Sequence, residues 1–123
     1  MPVVLAALFL SCAGTGEKPD AQSEFDKGIS LFNRGIYDEA AAHFERATEM
    51  DSDFGLAYLY IGRSYLNLGK WREALPPLRT AYRISPEETK AEVSDIIFDF
   101  LFQNAAKLDQ DARHEIENFF DLL

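Results

Sequence analysis

Between residues 55 and 86 apolar positions recur at helical spacing, break once, and recur again. Tyr58, Ile61, Gly62 and Tyr65 fall on one helix face. Asn67-Leu68-Gly69-Lys70 interrupts the pattern, and Gly69 is suited to the positive φ that ends a helix. Ala74, Leu78, Ala81 and Tyr82 then mark a second face. Ser85-Pro86 closes it, because the residue before a proline is pushed out of the helical region. The pattern predicts a helix, a tight turn and an antiparallel helix.

The same pattern occurs 34 residues earlier. Gly28 aligns with Gly62, Leu31 with Tyr65, Asn33 with Asn67 and Gly35 with Gly69. Tyr37 aligns with Trp71, Glu39 with Glu73, Ala40 with Ala74, Phe44 with Leu78 and Ala47 with Ala81. A fixed period of this length marks a repeat array, in which each unit buries its apolar face by stacking on the next. Such a chain is built to bind rather than to catalyse.

The second copy resembles the tetratricopeptide repeat, on Tyr58, Ile61-Gly62, Tyr65, Gly69, Trp71, Ala74, Leu78, Ala81 and Pro86. The first copy is similar through Gly28, Leu31, Gly35, Tyr37, Ala40, Phe44 and Ala47. It departs at Glu24, where the family prefers a bulky apolar residue, at Lys27, and at Ser52, where it prefers proline. Those departures suit an N-terminal edge repeat. The resemblance implies an all-α superhelix of antiparallel hairpins, with repeats at about 21–54 and 55–88 and a degenerate capping hairpin over 87–123. Gly28, Ala40, Gly62 and Ala74 are the small residues that let paired helices approach, and Ala47 and Ala81 do so between hairpins. Pro76-Pro77 is read as lying near a helix start, where the missing donors are orphans anyway.

After Pro86 the pattern stays helical. Ser85 is the expected N-cap, with Glu87 and Glu88 in the first turn. Val93, Ile96, Ile97, Phe100 and Leu101 form an apolar stripe, with Phe98 and Phe102 to its side. A last helix is expected from about Asp109 to Phe120, with Ile116, Phe119, Phe120 and Leu123 on its apolar face. Two readings stand for this aromatic-rich end. It caps the stack, or it docks a partner or a second copy of the chain.

Residues Val3 to Leu10 are continuously apolar, too short a run to span a membrane, which needs roughly 20 residues. Leu8-Phe9-Leu10-Ser11-Cys12 resembles a relaxed bacterial lipobox, in which the cysteine is lipidated and becomes the first mature residue. That reading gives a signal peptide over 1–11, a lipid on Cys12, a flexible tether over 12–22 and a helical domain over 23–123. It implies the bacterial envelope, with the outer membrane facing the periplasm as the expected place and the lipid as the only membrane contact. The alternative is a short cytoplasmic extension with an inert cysteine. Cys12 is the single cysteine of the chain.

Composition narrows the partners. The 123 residues carry a formal net charge of −9. That acidity argues against nucleic acid, which needs a basic surface, and against lying flat on anionic lipid. No phosphate loop, zinc spacing or nucleophile elbow occurs. His43 and His114 are expected on solvated helix surfaces. Asp51-Ser52-Asp53 and Asp109-Gln110-Asp111 are read as turns and caps rather than calcium loops. The chain is therefore read as a non-enzyme without cofactor or metal.

The resemblance implies that the first helix of each hairpin lines a concave groove. Its expected lining is Phe25, Ile29, Phe32 and Asn33 in the first repeat, Leu56, Leu59, Arg63, Leu66 and Asn67 in the second, and Lys90 beyond. Phe25 and Ile29 stand where a carboxylate clamp would need polar residues, so an apolar peptide or amphipathic helix is the expected occupant. The groove is open to such a partner or filled by the chain's own terminal segments. Two functions follow: a lipid-anchored scaffold assisting assembly of an envelope complex, or a soluble adaptor or co-chaperone holding apolar segments.

Overall fold

The computed structural model describes residues 20–122. Cys12, the run from Val3 to Leu10, most of the tether and Leu123 lie outside the described residues. Six α-helices follow one another: α1 Ala21–Asn33, α2 Tyr37–Met50, α3 Gly55–Asn67, α4 Trp71–Ile84, α5 Pro86–Asn104 and α6 Gln110–Glu117. A 3-10 turn, Phe120–Leu122, follows α6, and no strand occurs among the described residues. The helical domain begins two residues earlier than expected. Asp20 accepts from the Ser23 backbone N–H as N-cap of α1, which draws Ala21 and Gln22 into the helix.

α1 pairs with α2 and α3 with α4 as antiparallel hairpins, and α5 packs on α4 and α3. Both hairpin turns use one device. Gly35 and Gly69 have φ of 77° and 76°. The Gly35 N–H bonds Phe32 O and the Ile36 N–H bonds Leu31 O; Gly69 and Lys70 do the same to Leu66 and Tyr65. These paired bonds satisfy carbonyls that a helix end leaves open. A Cβ at Gly69 would meet nothing within 4 Å. Gly69→Ala is therefore expected to cost only the left-handed penalty, about 1–2 kcal/mol, read as a shift in urea midpoint.

Two cores share α3. Phe25, Ala40, Phe44, Ala47, Ala57 and Ile61 form the first. Leu59, Ala74, Leu75, Leu78, Ala81, Val93, Ile97, Ile116 and Phe119 form the second. The close approaches are steric: a Cβ at Gly28 would lie 2.5 Å from the Phe44 ring, and one at Gly62 would overlap Leu78. Gly55 does the same against the Ser85 side chain. Tyr65 spans the two hairpins by donating to Glu45, which pushes its phenol up to about 12, with burial adding.

Several expectations are corrected. Ser85 does not cap α5 with its side chain, which is turned against Gly55. Buried Thr89 instead donates its hydroxyl to Ala81 O and Ser85 O at 2.8 Å each, which ties the start of α5 to the end of α4. Pro76 and Pro77 lie inside α4, not among its orphan donors, because Ala74 N–H already bonds Lys70 O. The Arg72 and Glu73 carbonyls thus lose their helical donors, on residues that are exposed. His43 is half-buried and bonded, not solvated, with Nδ1 2.6 Å from Glu24 Oε2.

Glu24 is itself buried, at 6% exposure, and lies 3.3 Å from Arg46 Nε and 3.6 Å from Lys27 Nζ. This charge cluster stands where the repeat pattern prefers an apolar side chain. The His43 hydrogen bond holds the carboxyl below its ordinary value of 4.5, against the opposing pull of burial, and Arg46 and Lys27 add to it. A depressed folded value means the unfolded chain takes up the proton first. The stabilisation is then complete above about pH 5 and fades as pH falls from 4.5 through the folded value. Melting Glu24→Gln beside the wild type is expected to show the variant less stable at pH 7, with the gap closing in acid. A gap independent of pH would contradict it.

Candidate protein-binding site

α3 has 13 residues and α5 has 19. At 1.5 Å per residue the excess carries α5 about 9 Å further. The C-terminal end of α5 and the 105–109 loop therefore overhang the α3–α4 turn. The space beneath is a cleft of about 720 Å³. Leu66, Trp71, Ile96, Phe100 and Leu108 supply its apolar lining. Asn67, Asp99, Gln103, Asn104 and Lys107 supply polar groups.

Each part has a local cause. Trp71 opens α4 immediately after the glycine turn, so its ring stands at the hairpin tip, 6.2 Å from the Phe100 ring. The Arg72 guanidinium lies 4.2 Å over that indole and its Nε donates to Glu115 on α6 at 3.2 Å. Asn67 and Asn104 each donate back to the carbonyl four residues earlier, at 2.8 and 2.9 Å. Those bonds hold the two amides at the helix ends that border the cleft.

The expected groove residues divide. Arg63, Leu66 and Asn67 line the cleft. Arg63 is not a loose cation: Nη1 donates to Glu92 at 2.7 Å, and the guanidinium lies 5.2 Å from the Phe32 ring centre and 4.9 Å from that of Tyr60. This row of contacts bridges α1, α3 and α5. Phe25 and Leu59 are corrected. Phe25 is 9% exposed and packs on Phe44, Phe54 and Tyr60, and Leu59 is fully buried in the second core. Both side chains fill the space between helices, so neither faces a partner. Ile29, Phe32 and Leu56 are half-buried against the cores, whereas Asn33 and Lys90 are exposed and lie away from the cleft lining. In the sequence Trp71 stands out only as a repeat-defining residue, and Phe100 only as part of a stripe. The signal for the cleft was the apolar run reaching Leu101, longer than either first helix allows.

Among the described residues no group of three or more His, Cys, Asp or Glu could hold a metal ion. Asp51 accepts from the Asp53 N–H in the α2–α3 turn, and Asp109 caps α6 by accepting from Ala112 N–H. Both acidic clusters are thus turn and cap residues. No helix among the described residues is long and apolar enough to cross a membrane.

The paired hairpins, their glycine turns and the close contacts at Gly28 and Gly62 define a helical-repeat protein. The Tetratricopeptide repeat family model matches residues 25–89, and the chain belongs to that family. Its repeats generally mediate protein–protein interaction, and the family is generally non-catalytic. No curated protein matches the chain.

Proposed function

We propose that this protein is a non-catalytic interaction scaffold, tethered to the bacterial envelope by a lipid on Cys12, that holds a protein segment while a membrane or periplasmic complex assembles. The observation that carries the binding part is the cleft between α3 and the overhanging end of α5. Its apolar floor gives affinity by burial, and the amides of Asn67 and Asn104 together with Gln103 offer hydrogen bonds at its edge. The lipobox-like stretch ending at Cys12 supports the anchor. An acidic domain on a tether avoids the repulsion that anionic lipid would impose on direct adsorption.

Metabolic palmitate labelling of the full chain and of Cys12→Ser, with membrane fractionation, tests the anchor. Label that disappears in the variant is the expected result. An unlabelled, soluble protein in both cases overturns the anchor and leaves a soluble adaptor that binds apolar segments. A photo-crosslinking residue at Gln103, exposed at the cleft edge, tests the binding part in the same cells. One discrete adduct is expected, and Leu66→Ser is expected to reduce it. An adduct unchanged by Leu66→Ser would take the cleft out of the reading.

A further inference from the structure

α5 has a second face, opposite the cleft. Ala91, Asp95, Phe98 and Phe102 follow one another at spacings of four, three and four, so they share a side of the helix, and all four are exposed. Phe98 is 61% exposed and Phe102 86%. Terminal helices of repeat arrays carry polar outer faces. This one carries two largely exposed aromatic rings.

The reason lies in helix lengths. The second helices α2 and α4 each have 14 residues, about as long as the first helices they cover. α6 has 8 residues beside a 19-residue α5, or about 12 Å against 28 Å. The 3-10 turn adds one contact, Phe120 stacked on Phe98 with ring centres 5.7 Å apart. Phe102 has no aromatic neighbour among the described residues. The third hairpin thus lacks most of its covering helix.

Charge selects the occupant. α5 contains five acids and one base, and only Glu92 is paired to an arginine, on the other side. Glu87 and Glu88 border the exposed stripe, Asp95 lies within it, and all three are exposed. In a twofold pair of copies this same acidic patch would meet itself. We propose that the Phe98–Phe102 face of α5 docks one amphipathic helix of a partner protein, with an apolar stripe bordered by lysine or arginine, in the place a full-length covering helix would fill. This surface is independent of the cleft and of the lipid anchor.

The test uses the full chain and a fluorescent helical peptide of about 14 residues, the length of α2 and α4. It has a leucine stripe and a lysine rim, and its twin has a glutamate rim. Fluorescence anisotropy is expected to show the lysine peptide binding at least tenfold more tightly than the twin. Phe98→Ser with Phe102→Ser is expected to weaken it tenfold or more, and Glu88→Lys with Asp95→Lys to reverse the preference. Phe102→Ser alone, at the more exposed position, serves if the double variant melts early. Gln103→Trp, which fills the cleft, is expected to leave this binding unchanged. Equal affinity for both peptides, or for wild type and Phe102→Ser, overturns the proposal. So does sedimentation that shows a dimer abolished by Phe102→Ser, which would assign the face to a second copy.

Discussion

Leu59→Asp is expected to abolish the cooperative unfolding transition rather than merely weaken partner binding. Leu59 is fully buried among Leu78, Val93 and Ile97, where α3, α4 and α5 meet. Removing its branched end costs about 2–5 kcal/mol through lost burial and a residual cavity. The carboxylate that replaces it has no cation within the cluster, and an unpaired buried charge costs several kcal/mol more or forces protonation. The sum is comparable to the whole stability of a small domain, about 5–15 kcal/mol. Circular dichroism with a urea titration checks it: helical signal lost, or a midpoint near zero denaturant. A folded Leu59→Asp protein with a normal midpoint would mean that α5 does not cover this site. The same charge at Gln103, on the cleft edge, is expected to leave the midpoint within about 0.5 kcal/mol of wild type.

Phe44→Ala is expected to remove about 3–5 kcal/mol. Its ring is fully buried, 5.5 Å from Phe25 and 5.4 Å from Tyr60, and presses on the backbone of Gly28. Gly28→Ala in the wild-type background is expected to be destabilising by about 1–3 kcal/mol, although alanine is the better helix former, because its methyl would overlap the ring. In the Phe44→Ala background the overlap is gone and the same change should stabilise by about 1 kcal/mol. The change of sign is the measurement that matters. Additive effects in the double-mutant cycle would show that α1 and α2 separate freely at this point.

The two hairpins were legible because they are written in local rules. Gly35 and Gly69 hold a conformation that other residues resist, so their spacing marks the turns directly. Gly28 and Gly62 sit where the facing Phe44 and Leu78 leave no room for a side chain, and the repeat shows that pairing in order. Glu24 was legible as a departure from the pattern, but its answer lay 19 and 22 residues away on His43 and Arg46. Neither partner is marked by spacing.

The candidate site was only half legible for a related reason. The place of Arg63, Leu66 and Asn67 in the repeat points to the groove and they do line the cleft, but Phe25 and Leu59 share that place and are buried. By itself the sequence determined helix, turn, helix, twice, and the small residues that let each pair close. Periodicity, glycine conformation and proline act within a few residues, so they need no knowledge of what lies opposite. Only the tertiary structure decided which apolar positions are covered, that α5 overhangs the turn to open a cleft, and that α6 is too short to hide Phe98 and Phe102. Those outcomes depend on where a third element lands across two others, and helical spacing carries no information about that.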